Sequence, residues 1–504
     1  MSTSGVFANQ PDAPGPSFSV PTWSITVPQT SNSPEDDVEE IVRSDPMPET
    51  SLVLPAPSAS PVPRAQSSSD FIYIPQPLPS ADDLATSAFF KSFMPGPPGS
   101  RNQFDYLPTI LNSSQTNGIL TKAIISIGSH TLAERNRDTQ LLLYSKRKYS
   151  STLTTLQDAL RDSYRAKSDE VLVTILLMSQ FESIISPDMQ SMLAHLEGAQ
   201  ALLKLRGLEA LRTVIGMRLF ASIRGQIALT SIINHKKVPD FITELSERCW
   251  SFPSNDKNWA SPMTMIAIKF CNIRARVYAG EAQDIHQFLA SYYEIEHELE
   301  NWAIEIPAHV QFTRMPATPS EFVLANYADI YKDYYSYTIW NYYRSVRIMC
   351  AEAIIASLRR LLADPGAQLD IETTEAEIRM RQQVVENLCL DICASMPYFT
   401  GVLSSRNNSR PSLDGSETRN TSPASEGIFV MWPLHTIADC SHAPAHMRHF
   451  AIMQMRIISQ HSGNKMAAVL AERLEKGPSG HHRAYEPVFG NSIRADDRLP
   501  AEAR

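Results

Sequence analysis

Apolar residues recur at three- and four-residue intervals through most of the chain after residue 118. One clear stripe is formed by Leu142, Tyr149, Leu153, Leu156 and Leu160. This spacing is typical of one face of an α-helix. Period-two alternation, which would indicate strands, is scarce. The pattern therefore predicts an all-α body.

We expect ten or more helices that pack around one large core. The predicted helices are Ile119–Thr131, Leu141–Tyr164, Val171–Ile185, Met189–Leu205, Gly216–Asn234, Ala260–Ala279, Asp284–Ile304, Glu321–Leu362, Glu375–Ser395 and Ala443–Leu474. Ser168 is the predicted N-cap of Val171–Ile185, whose apolar run VLVTILLM indicates a central, buried helix. Gly207 predicts the end of Met189–Leu205, and Thr374 is a candidate cap for Glu375–Ser395.

The first hundred residues differ from this body in charge and in proline content. They hold eleven acidic and three basic side chains, a net charge of −8 out of the chain's −9, and 18 of its 35 prolines. Proline disfavours both helix and central strand. Residues 1–80 are therefore predicted to be a disordered, acidic, Pro/Ser-rich tail, followed by an all-α domain over 81–475.

Two further segments lack an apolar period: a Ser/Asn/Arg-rich loop at 404–426 and a C-terminal tail at 476–504. We predict disorder in the loop and flexibility in the tail. The near-neutral body argues against bulk electrostatic binding of nucleic acid. The sequence also lacks the long apolar run of a membrane span and the features of a signal peptide.

Several segments, in order, resemble the fungal-specific transcription factor domain, the regulatory half of fungal binuclear zinc-cluster transcription factors. They are SDEVLVTILLMSQFE (168–182), HLEGAQALLKLRG (195–207), GMRLFASIRGQ (216–226), YYSYTIWNYYRSVRI (334–348) and the pair DICASMPYFTG (391–401) and GIFVMWPL (427–434). Each segment is weakly specific, and their order carries the resemblance. The residues that represent it are His195, Gly198, Arg206, Gly207, Trp340, Asn341, Arg344, Arg347, Pro397, Trp432 and Pro433.

The resemblance implies a transcriptional regulator in the nucleus of a filamentous fungus, controlling a metabolic or secondary-metabolite pathway. It also implies contact with the transcription machinery or a DNA-binding partner, a homo- or heterodimer, and a small-molecule effector. It does not imply an enzyme, a cofactor or a membrane. The alternative is a non-transcriptional all-α scaffold or small-ligand-binding protein with the same fold.

The sequence departs from the family's usual pattern in its cysteines. A zinc cluster needs six closely spaced thiolates, whereas the six cysteines here lie between Cys249 and Cys440, and only Cys389 and Cys393 are close together. Direct DNA binding is therefore doubtful. Three explanations stay open: a cofactor-like regulator, an incomplete gene model, or a diverged relative with another role.

The motif residues and the other chemical candidates each have a structural alternative. We expect His195, Gly198 and Gly207 to serve packing, and Trp340, Asn341, Arg344 and Arg347 to form a buried polar network or, alternatively, a ligand pocket. Cys389 and Cys393 fit two buried thiols better than a zinc site. The cluster His435, Cys440, His442, His446 and His449 lacks the glutamate base of an HExxH metal site.

The charged clusters also have a structural alternative beside the functional one. Lys146-Arg147-Lys148 is either a solvated helix face or part of a nuclear-import signal. The carboxylates of Asp36–Glu40 lack the second motif of a magnesium-dependent terpene synthase, so we reject that function. Asp36–Val42 and Asp70–Phe93 mix acidic and bulky apolar residues, as activation regions do, but also fit a plain disordered leader. Ala81–Phe93 is alternatively the first helix of the body.

Overall fold

A computed structural model describes residues 79–94, 101–113, 118–187, 190–249, 259–281, 284–400 and 426–477. Across these ranges the chain forms fifteen α-helices and one two-stranded sheet. The predicted tail at 1–80, the loop at 404–426 and the tail at 476–504 lie outside the described residues, apart from their last or first few positions.

The elements are numbered in the order in which they occur along the chain. They are α1 (Ala81–Phe93), α2 (Leu107–Ser113), α3 (Ile119–Asn136), α4 (Thr139–Arg161), α5 (Asp169–Ile185), α6 (Gln190–Arg206), α7 (Val214–Ile233), α8 (Asp240–Cys249), α9 (Ala260–Tyr278), α10 (Ile285–Glu305), β1 (Thr313–Pro316), β2 (Tyr327–Ile330), α11 (Tyr334–Leu362), α12 (Ile371–Phe399), α13 (Glu426–Asp439), α14 (Ala445–Ser462) and α15 (Lys465–Glu475). The prediction of an all-α body with ten or more helices is confirmed.

Side-chain caps explain where many of these helices begin. Ser168 Oγ accepts a hydrogen bond from the Val171 amide at 3.2 Å, which confirms its predicted role at the start of α5. Ser80 and Asp83 form a capping box at the start of α1. The alternative that Ala81–Phe93 is the first helix of the body is confirmed, with Ala85, Phe89 and Phe93 buried.

One continuous cluster of buried apolar side chains connects the helices. Helix α5 is buried along nearly its whole length, as predicted. Helix α11 contacts α9, α10, α12 and α13, so it occupies the centre of the C-terminal part. Helix α7 contacts α5, α6 and α9 and lies beside the cavity described below.

The predicted helix Glu321–Leu362 is wrong in its first part. β1 and β2 pair antiparallel, with Thr313 opposite Ile330 and Pro316 opposite Tyr327, and α11 begins only at Tyr334. The hairpin places the carboxylate of Asp329, 0% exposed, within 2.8 Å of Arg314 Nε on β1. This tertiary ion pair outweighs the local helical spacing.

Three further predictions are corrected. The segment Ala443–Leu474 is two helices, because Gly463 adopts a left-handed φ of 67° and Asn464 caps the next helix. Helix α12 begins at Ile371 with Asp370 as its cap, and Thr374 lies inside its first turn. Helices α2, α8 and α13 were missed. Helices α2 and α8 are short and lie near loops, and α13 contains Pro433, a residue that disfavours helix interiors.

Candidate functional site

The segment at 195–207 covers most of α6 and the glycine that follows this helix. Arg206 Nη2 is 2.5 Å from Asp169 Oδ1, so this pair joins the end of α6 to the start of α5. Gly207 has φ 54°, a conformation that favours glycine where α6 ends. Burial lowers the pKa of His195 to about 4, so the imidazole is neutral at pH 7. Gly198 is partly buried within α6.

Asn341 and Arg344 lie in a buried polar network between α11, the hairpin and α12. Arg344 Nη2 is 3.0 Å from Asp329 Oδ2, and Arg344 also donates to the Tyr331 hydroxyl and to Asn341 Oδ1. Asn341 Nδ2 donates to Ser395 Oγ on α12 at 3.0 Å. The network joins three elements that the sequence separates, and every donor named here has an acceptor within it.

The other two residues of this segment also contact neighbouring elements. Trp340 Nε1 donates to the Val310 carbonyl at 3.0 Å. Arg347 binds Glu296 at 2.9 Å and Glu300 at 2.6 Å, both on α10. These contacts are compatible with the buried polar network expected for the segment, and that role stays a proposal.

The fold brings Cys440 next to Cys389 and buries both thiols. Cys389, Cys393 and Cys440 are buried, and Cys440 Sγ donates to Glu352 Oε1 at 3.1 Å. Burial raises the pKa of the Cys393 and Cys440 thiols well above the ordinary value, so both stay protonated. Among the residues that the structure describes, no three His, Cys, Asp or Glu side chains are placed to hold a metal ion.

The histidines after α13 face different surroundings. His442 Nδ1 lies 3.4 Å from Glu352 Oε1, whereas His446 and His449 are exposed on α14. His442 therefore lies in surroundings that differ from those of the two exposed imidazoles. In the basic cluster on α4, Lys146 and Arg147 are exposed, and Lys148 Nζ is 3.1 Å from Asp82 Oδ2 on α1.

A partly open cavity of about 1150 Å³ lies beside α7. This volume is at or above the upper end of what small-molecule sites usually occupy, roughly 300–1,000 Å³. Its wall is mainly apolar and is built from α5, α6, α7, α9, α11, α13 and α15, together with the last residue of α8 and the segment before α2. Trp432 and Pro433 are the two residues of the predicted set that line it. Pro397 is buried near the end of α12.

Arg224 is the polar residue of the cavity wall that sequence reasoning missed as a candidate. It is 2% exposed, and its Nη2 donates to Ser261 Oγ of α9 at 2.9 Å. Its Nε and Nη1 have no hydrogen-bond partner among the described residues. Burial lowers the pKa of Arg224, because desolvation disfavours the charged form.

A sequence signal for Arg224 does exist. It follows Phe220 by four residues and precedes Ile227 by three, so it lies on the apolar stripe of α7. A charged side chain on a stripe that otherwise holds Leu219, Phe220, Ile223 and Ile227 is an anomaly that periodicity analysis can detect. The cavity itself could not be found in this way, because its wall comes from separate elements.

Comparison with known proteins identifies the body. The family model described as fungal specific transcription factor domain matches residues 87–346, just over half of the chain. This chain belongs to that family. The searches of curated proteins and of solved structures found no match to this chain. The matched residues extend from α1 into α11 and include Arg224, Asn341 and Arg344.

Membership in the fungal specific transcription factor domain family implies transcriptional regulation, a role in the nucleus and contact with the transcription machinery. The family is one of transcription factors and not of enzymes. In the described parts of the chain, none of the helices combines the length and apolarity needed to cross a membrane. The matched range ends before Pro397, Trp432 and Pro433.

Proposed function

We propose that this protein is a transcriptional regulator of a filamentous fungus that controls a metabolic or secondary-metabolite pathway. The match of the family model over residues 87–346 carries the proposal. The helical body is the regulatory module, and DNA contact comes from a partner protein or from a zinc cluster outside the printed sequence. A homo- or heterodimer fits this role.

The body senses a small-molecule effector in this proposal. A cavity of about 1150 Å³ that is bordered by eight helices supports it, because a ligand there contacts elements distant in sequence. Occupancy can then shift the balance between two arrangements of these helices by its differential affinity for them. The residues at 195–207 and 340–347 hold the wall in place through the contacts of α6 and α11.

Tethering tests the regulatory role. The full chain is fused to a heterologous DNA-binding domain in a fungal host that carries a matching reporter, and the DNA-binding domain alone is the control. We expect reporter output to change relative to the control and a fluorescently tagged full chain to accumulate in the nucleus. Unchanged output together with a cytoplasmic tagged protein would support the alternative scaffold or ligand-binding function and contradict the proposal.

A further inference from the structure

The cavity beside α7 carries more positive than negative charge. Its charged lining residues are five arginines and two aspartates: Arg101, Arg218, Arg224, Arg274, Arg473, Asp105 and Asp439. One of these aspartates is already neutralised, because Arg218 Nη1 is 3.1 Å from Asp105 Oδ1. Residues 101–504 have a net formal charge of only −1, so the positive charge of the cavity is a local feature of the body. Such a cavity attracts anions.

Arg224 is the strongest anion-binding group in this wall. Arginine stays protonated in proteins, and a buried charge without a partner costs several kcal/mol. No carboxylate of the described residues forms an ion pair with it, and the charged or titratable groups that influence its pKa are Cys249, Tyr335 and Tyr342. Burial raises the pKa of Tyr342 well above the ordinary value, and burial also raises that of Cys249, so both are neutral. The guanidinium therefore lacks its counter-charge.

The position of Ser261 adds a second feature that favours an anion. Ser261 accepts from Arg224 and lies in the first turn of α9, a helix of 19 residues. Trp259, the N-cap residue of α9, makes no side-chain hydrogen bond to that turn. Helix N-termini present backbone N–H groups and the positive end of the helix dipole. Arg224 and the start of α9 thus favour negative charge at one place in the wall.

The rest of the cavity wall determines which class of anionic molecule fits there. The wall of the cavity as a whole is mainly apolar, with Met217, Phe220, Leu229, Ile339, Met431 and Leu470 among its members. Inorganic phosphate would leave this surface uncovered. We propose that the cavity binds a small organic acid, a largely apolar carbon skeleton with one anionic group held by Arg224 and Ser261. This inference rests on the effector part of the proposed function and names the chemical class of that effector.

A matched pair of fluorescent probes tests the proposal on the purified full chain. The probes are 8-anilinonaphthalene-1-sulfonate and N-phenyl-1-naphthylamine, which share one ring system and differ by the sulfonate. We expect the wild-type protein to bind the anionic probe about 10- to 100-fold more tightly than the neutral one, as a charge-assisted hydrogen bond predicts. Equal affinity for the two probes, or no binding of either, overturns the proposal.

Substitutions assign the preference to Arg224. Arg224→Met should remove the preference for the anionic probe and leave the affinity for the neutral probe within about twofold, whereas Arg224→Lys should retain part of it. Ser261→Ala gives a second, milder variant. The control is Arg161→Met, because Arg161 lies on the surface in an exposed pair with Asp158. An Arg224→Met protein that still prefers the anionic probe contradicts the assignment.

The binding and reporter experiments fail independently. Binding to purified protein needs no DNA, partner or host, so loss of probe discrimination with an active reporter fusion rejects the organic-acid site and keeps the regulator. Probe discrimination with an inactive, cytoplasmic fusion keeps the ligand site and rejects the transcriptional role.

Discussion

Two buried arginines illustrate how differently one residue type is used in this fold. Arg344 and Arg224 are 1% and 2% exposed. Arg344 is neutralised by Asp329 and hydrogen-bonded to Tyr331 and Asn341, so its burial is compensated. Arg224 has the Ser261 hydroxyl as its hydrogen-bond acceptor and no ion pair with a carboxylate within the described ranges. A buried charge that the protein itself neutralises fits a structural role. A buried charge without a counter-charge fits a site that a ligand completes.

This contrast predicts opposite effects of the same substitution. Arg224→Met should leave the ligand-free protein as stable as the wild type or about 1–2 kcal/mol more stable, because it removes an uncompensated buried charge. Arg344→Met should lower the free energy of unfolding by roughly 3–5 kcal/mol, because it leaves the Asp329 carboxylate with less compensation. Urea unfolding followed by circular dichroism measures both. A large loss in Arg224→Met would show that Arg224 stabilises the fold.

At the scale of elements, the helices follow local chemistry that the sequence displays. Ser168, Thr213, Asp284 and Asp370 each accept a backbone N–H at a helix start. Apolar spacing and such caps allowed α5, α6, α7, α9 and α10 to be predicted within a few residues. The hairpin could not be predicted from local spacing. It is stabilised by ion pairs of Asp329 on β2 with Arg314 on β1 and with Arg344 on α11.

The crossing of α1 and α3 depends on a glycine. A Cβ at Gly128 would lie 1.8 Å from the Ala85 carbonyl oxygen, which is backbone and cannot turn away. We expect Gly128→Ala to destabilise the protein by about 2 kcal/mol or more, since the two helices must separate. Thermal unfolding followed by circular dichroism measures the change.

Gly225 on α7 provides the matched control. A Cβ there has no neighbour within 4 Å, so Gly225→Ala should stabilise the protein by roughly 0.5–1 kcal/mol through helix propensity alone. The same sign of effect in both variants would contradict the close approach of α1 and α3.

At the scale of the whole molecule, stability should depend on pH through two histidines, one buried and one partly buried. Burial lowers the pKa of both His130 on α3 and His195 on α6 to about 4, and nearby Lys465 and Lys146 act in the same direction on His130. In the unfolded chain both titrate near 6.5. The unfolded state therefore binds more protons between these values, and stability is lost as the pH falls from about 6.5 to about 4.

Each histidine contributes on the order of 2–3 kcal/mol to this loss. Urea unfolding at pH 7 and at pH 4.5 measures it, and the double variant His130→Gln, His195→Gln should show a smaller difference between the two pH values. Solvent-exposed ion pairs such as Asp158 with Arg161 add little to the pH dependence of stability, because such pairs contribute about 0–1 kcal/mol. An unchanged pH dependence in the double variant would contradict the assignment to these histidines.

The sequence by itself determined the helical class, most helix positions and the family, because these depend on spacing, caps and ordered motifs that are local in the chain. The tertiary structure decided what the motif residues contact. It placed Asn341 and Arg344 in a network in which Asp329 neutralises the arginine. It also placed Arg224, a residue of the segment at 216–226, beside a cavity without a counter-charge. Burial and pairing arise from distant segments brought together, and no periodicity along the chain specifies them.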